Sequence, residues 1–234
     1  MSAKHVSTQF DKELEMVSTR VMELGGLVET QMTAVLEALE HLDRVQAEKI
    51  IEMEEHVNRL EVSVDHDAIA TIARRQPAAR DLRLLIAVAK ATTDLERIGD
   101  ESEEIACLIL NMVEKGGKRL SCQNAVKACG DSAVVLLREA LDAFARRDVV
   151  ASAKILKDVG PVEEKFRKVR EELTAHVVGH PTSAVAILDL MLIARAIERV
   201  KDHALNIAEL TIYIVKGDDV RHFSPLELEK NRFE

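Results

Sequence analysis

The chain has 234 residues, length for one or two domains, with no Trp, one Tyr, five Phe and four Pro but plentiful Ala, Leu, Glu and Lys. That composition favours helix over strand. A formal charge of −9, from 32 Lys and Arg against 41 Asp and Glu, disfavours nonspecific binding to nucleic acid or an anionic membrane and suits metal ions or a basic partner surface.

Taken in order, the chain opens with a polar stretch, MSAKHVSTQFDKELE, that has no apolar signal core. Leu14, Val17, Val21, Leu24, Val28, Met32, Val35, Leu39 and Leu42 then mark the seam of a long first helix. Gly25-Gly26 lies inside it, where glycine weakens a helix, and so marks close packing or a bend. The second helix carries Ile50, Met53, Val57, Leu60 and Val64, and it ends before Gln76-Pro77. The third starts near Pro77 and stops near Gly116-Gly117.

From there the pattern repeats. Helix four is marked by Val126, Cys129, Ala133, Leu136, Ala140 and Phe144, and DVVASAKI at 148–155 parallels DRVQAEKI at 43–50, an offset of 105. Helix five contains Gly160-Pro161, which should break or kink it before Val162, Phe166, Val169 and Leu173 resume the seam. Helix six runs from Pro181 to Lys216 with Gly217 as its cap, and its seam from Leu190 to Ile214 is the Val88–Met112 seam of helix three displaced by 102. The reading is all-α: two tandem three-helix bundles, residues 1–117 and 118–217, then a charged tail, 218–234, expected to be only partly ordered.

No apolar stretch spans a membrane, since the longest, around 184–197, is interrupted by Asp189 and Arg195. The expectation is a cytoplasmic protein, at most peripheral to a membrane. Cys107, Cys122 and Cys129 lack Cys-x-x-Cys spacing, and so they indicate neither a disulfide framework nor a zinc knuckle. No phosphate loop, Walker or kinase signature occurs. His176 and His180 straddle Gly179 ahead of Pro181, which argues against a helical metal pair, and His203 reads as a surface or packing residue. Leu82, Ile86 and Ala89, with Leu188 and Met191, hint at a self-association surface.

The chemistry-bearing feature is Glu-Arg-x-x-Asp, written as Glu96-Arg97 with Asp100 and again as Glu198-Arg199 with Asp202. Residues four apart share a helix face, so each pair forms a carboxylate stripe expected to look outward; Glu104 extends the first. Such a stripe is ordinarily solvated charge, with Arg97 and Glu101 as an i, i+4 pair. Its duplication points instead to a hard, oxygen-ligated cation such as magnesium, manganese, calcium or iron. Glu61 and Asp65 repeat the spacing on helix two and could help complete a site; the offset of 105 places Phe166 and Arg170 at their counterparts, so the second repeat lacks helix-two ligands.

The segments VMELGGLVETQ, ARRQPAARDLRL, DLERIGD, LDAFARRD, AIERVKD and YIVKGDDVRH resemble those of the PhoU family of bacterial phosphate-uptake regulators, and the resemblance spans nearly the whole chain. It implies metal clusters at Glu96/Asp100 and Glu198/Asp202, with iron, manganese, magnesium and zinc as the candidate ions. It also implies a non-catalytic negative regulator of phosphate uptake and starvation signalling, a homodimer that contacts the phosphate ABC transporter ATPase and the sensor histidine kinase of the phosphate response. One departure stands out: the second motif reads ERVKD, with Lys201 where the family usually has glycine. The alternatives are a di-iron or di-manganese carboxylate bundle enzyme, which needs inward Glu-x-x-His ligands that do not occur here, and a metal-free helical scaffold.

Overall fold

A computed structural model describes residues 8–117, 119–179, 183–221, 223 and 227, and among these there are seven helices and no strand. They are α1 (Thr8–His41), α2 (Arg44–Arg75), α3 (Ala79–Glu114), α4 (Gln123–Arg146), α5 (Val149–Lys157), α6 (Gly160–Gly179) and α7 (Ala184–Lys216).

The local signals act where the sequence puts them. Asp43 caps α2, its Oδ1 accepting the Gln46 N–H at 3.1 Å, and Asp148 caps α5 by accepting from Ala151 N–H at 2.9 Å. Leu42 and Arg147, one residue earlier in each repeat, both turn in left-handed geometry at φ 51° and 55°. The glycine stops are Gly116 and Gly217, with φ of 67° and 87°. The expected break at Gly160-Pro161 splits the fifth helix into α5 and α6, and Pro161 sits in the first turn of α6, where its missing N–H costs nothing. Pro77 falls in the loop ahead of α3 rather than inside it. Pro181, His180 and most of the expected tail (222, 224–226 and 228–234) lie outside the described residues.

In the first bundle α1 packs on α2 and α3; in the second α4 packs on α5, α6 and α7. The bundles join through α3 against α7 and α1 against α4, and one apolar core runs continuously through both. A smaller cluster, Val149, Ala153, Ile212 and Val220, ties the start of the tail to α5 and α7. No helix among the described residues is long and apolar enough to cross a membrane. The expected self-association face is only partly open: Leu82, Ile86, Ala89 and Met191 are half-buried, whereas Leu188 is exposed beside Val185 and Leu192 on α7.

Candidate functional site

Packing α2 alongside α3 draws two acid series together. Glu61 and Asp65 of α2 and Glu96 and Asp100 of α3 are all half-buried, so the α3 stripe does not look freely outward as its position on an isolated helix suggests. Burial raises the carboxyl of Glu96, with Asp100 adding to the effect against Arg97 and His203. Burial likewise raises Glu61, helped by Asp65 and Glu96, and Asp65 is raised by burial alone.

At the base of this group sits Glu54, 3% exposed. Its Oε2 accepts from Gln31 Nε2 at 2.8 Å, while its Oε1 and the Oδ1 of Asp65 are buried with no hydrogen-bond partner. Burial raises Glu54 to about 7, opposed by Gln31 and reinforced by Asp100, Glu103 and Glu96. Gly99 makes room for it: a Cβ there would come 2.7 Å from Glu54 Oε2. Glu103, one residue before the expected Glu104, joins this group; Glu104 is exposed and acts on Glu101 and Cys107.

The cations nearest the group are on its rim, Arg97 lying 3.5 Å from Glu96 and 3.3 Å from Asp100. Arg97 therefore does not make the expected pair with Glu101. Glu101 is 2% exposed and reaches across to Arg199 of α7 at 2.9 Å. Asp94 likewise accepts from Asn206 Nδ2 at 2.8 Å and lies 2.8 Å from His203 Nδ1, which makes His203 a packing residue at the α3–α7 boundary.

The second repeat is built differently at each corresponding position. Arg170, the counterpart of Asp65, grips both oxygens of Glu198 at 2.8 and 2.9 Å, and Arg195 adds a third contact at 3.0 Å. Burial alone would raise Glu198, but Arg195 and Arg170 outweigh it and hold the carboxyl below the usual glutamate value, opposite in direction to Glu96. Lys201 stands where Gly99 stands in the first repeat, 5% exposed, with its Nζ 2.8 Å from Asp202 Oδ1 and 3.9 Å from Glu163 Oε1. Phe166, the counterpart of Glu61, is core.

Sequence reasoning missed Glu54, although its place four residues after Ile50 and three before Val57 is a seam position; Met53, assigned to that seam, is only half-buried. An oxygen-only donor set with unpartnered buried oxygens fits a hard cation in the first repeat. As the side chains stand, no three His, Cys, Asp or Glu among the described residues converge on one point.

A PhoU domain model matches residues 21–109 and again 126–211. The chain belongs to the PhoU family. A Burkholderia PhoU homolog named as a phosphate-specific transport system accessory protein is 43% identical over 97% of this chain and 97% of its own length. The Escherichia coli K12 PhoU accessory protein is 34% identical over 97% of this chain and 93% of its own. The crystal structure of Pseudomonas aeruginosa PhoU superposes with a TM-score of 0.85 at 35% identity, covering 89% of this chain and all of that one (100%). Streptococcus pneumoniae PhoU shares the fold, with a TM-score of 0.82 at 24% identity over 90% of this chain and 99% of that one. The Burkholderia and Escherichia coli relatives are named as accessory proteins and the Streptococcus pneumoniae one as a regulatory protein.

Proposed function

We propose that this protein is a non-catalytic negative regulator of phosphate uptake and phosphate-starvation signalling, working in the cytoplasm by contact with the phosphate ABC transporter ATPase and its sensor histidine kinase. The observation that carries the reading is that relatives matching essentially the whole chain are named accessory proteins of phosphate-specific transport. The exposed stripe of Val185, Leu188 and Leu192 supports a homodimer contact on α7.

The acid group of the first repeat supplies a means of controlling such contacts. Glu61, Asp65, Glu96 and Asp100, with Glu54 and Glu103 behind them, would hold an oxygen-ligated cation of the iron, manganese, magnesium or zinc type. When bound, the ion supplies positive charge to a face that is otherwise strongly negative. The carboxylates then present a different electrostatic surface to a docking partner.

A deletion strain should express its phosphate-starvation genes even in high phosphate, and the parent chain should restore repression. Repression that never depended on the protein would sink the regulatory reading. For the contacts, parent and Glu96→Ala/Asp100→Ala proteins are compared for capture of the ATPase and the kinase with metal present. Undiminished capture by the metal-free variant would favour the metal-free scaffold reading, which the lack of a tight three-ligand convergence among the described residues also supports.

A further inference from the structure

We infer that the second Glu-x-x-x-Asp motif is closed by cations of the chain itself, so that metal binding is confined to the first repeat and the second repeat keeps a metal-independent face. The inference rests on the metal reading of the first repeat and narrows it.

Four substitutions within the internal repeat carry it. At the counterpart of Asp65, a donor oxygen is replaced by the Arg170 guanidinium, which takes both oxygens of Glu198 at 2.8 and 2.9 Å. Arg170 Nη1 lies across both oxygens and Arg195 adds a contact at 3.0 Å to the same carboxylate, so most of the lone pairs an ion needs are taken. At the counterpart of Gly99, the first repeat leaves room for a buried carboxylate, whereas the second sets a buried ammonium, Lys201, 2.8 Å from Asp202. A divalent ion on Asp202 would sit against that ammonium, in surroundings where like charges are poorly screened. At the counterpart of Glu61, Phe166 is packed into the core and offers no donor. The counterpart of Glu54 by the same offset is Val159, in the break between α5 and α6.

The charges balance accordingly. Glu163, Glu198 and Asp202 face Lys201, Arg170 and Arg195, whereas the acids grouped with Glu54 have Arg97 and His203 at their edge. A rise in metal would therefore change the charge of one half of the molecule and leave the other as it is.

The probe is manganese(II), counted by electron paramagnetic resonance on the full chain after chelation and dialysis. The parent should bind it, Glu198→Ala/Asp202→Ala should bind as the parent does, and Glu96→Ala/Asp100→Ala should bind none. Adding Arg170→Asp/Lys201→Gly to Glu96→Ala/Asp100→Ala should restore binding, now in the second repeat; Arg170→Gln/Lys201→Met serves if the first combination does not fold. Manganese on Glu96→Ala/Asp100→Ala that disappears when Glu198 and Asp202 are also removed would overturn the inference, as would a folded, opened variant that gains none. A parent without manganese would sink the first-repeat reading, while gain by the opened variant would still uphold this one. A readout independent of metal is thermal unfolding in chelator. Glu198→Gln, which strands two arginines, should lower the midpoint, and Glu96→Gln, which relieves like-charge repulsion, should raise it. Shifts in the same direction would also overturn the inference.

Discussion

Leu141 of α4 lies over Gly25 of α1 so closely that a Cβ on Gly25 would come 2.7 Å from a Leu141 methyl carbon. The same arrangement recurs with the partners exchanged: Leu36 of α1 lies over Gly130 of α4, closer still. Both pairs obey the offset of 105, since 25 and 36 become 130 and 141. The α1–α4 contact is thus self-complementary, with a glycine notch and a leucine ridge contributed by each repeat.

From this, Gly130→Ala should destabilise the fold by about 1–2 kcal/mol, because overpacking against the fully buried Leu36 exceeds the roughly 1 kcal/mol that alanine adds to a helix. Gly25→Ala should fall near neutral, as Leu141 has slightly more room to yield. At Gly26 a methyl group would meet nothing within 4 Å, so Gly26→Ala should stabilise by up to about 1 kcal/mol. Denaturant melts of the three variants check the order, and a stabilising Gly130→Ala would refute the notch.

Much of this architecture was legible in the chain because a three-four seam and an in-register repeat are properties of the sequence itself. Val88 to Met112 and Leu190 to Ile214 specify two equivalent helices before any contact is known, the recurrence of DRVQAEKI as DVVASAKI pairs their neighbours, and Gly160-Pro161 marks the break in one of them. The site was less legible. Glu96 and Asp100 stand on a helix face whose exposure depends on where α2 packs, and that packing leaves them half-buried beside Glu54. Glu101 looked like a partner for Arg97 within its own helix. Its true partner, Arg199, comes from the other repeat and is 98 residues away in sequence (199 − 101), beyond what local spacing reports.

Glu54 gives a prediction whose sign depends on metal. Its buried carboxylate is raised to about 7, so at pH 8 it is held ionised in the fold at a cost. In chelator at pH 8, Glu54→Gln should therefore raise stability by about 1–2 kcal/mol. With manganese present, the parent should gain by linkage and the variant should gain less, reversing the order. Thermal melts in the two buffers decide it; the same order in both would remove Glu54 from the proposed metal site.

Glu101 and Arg199 should behave asymmetrically. Removing the half-exposed arginine leaves a nearly inaccessible carboxylate unpaired, so Arg199→Ala should cost about 1–3 kcal/mol, less than the roughly 3–5 kcal/mol of a fully buried broken pair because water reaches the arginine. Glu101→Gln leaves a solvated arginine and no buried charge, and should cost well under half as much. A double-mutant cycle over the two positions measures the coupling, and equal single losses would contradict the asymmetry.

The pH dependence of stability should carry the signature of Glu209. This half-buried residue of α7 lies by the start of the tail, where burial raises its carboxyl to about 7, with Asp219 and Asp94 adding to the shift and Arg221 opposing it. A folded-state value above the unfolded one means that the folded chain binds the extra proton between about pH 4.5 and 7. Stability is then greatest below that window from this group, and falls as pH rises through it. Glu209→Gln removes the dependence, so it should gain about 1–2 kcal/mol over the parent at pH 8, after allowance for the water that reaches the group, and nothing at pH 4. Urea melts of parent and variant across pH 4 to 8 test this. A difference that is constant with pH would mean that the carboxyl titrates alike in the folded and unfolded chains.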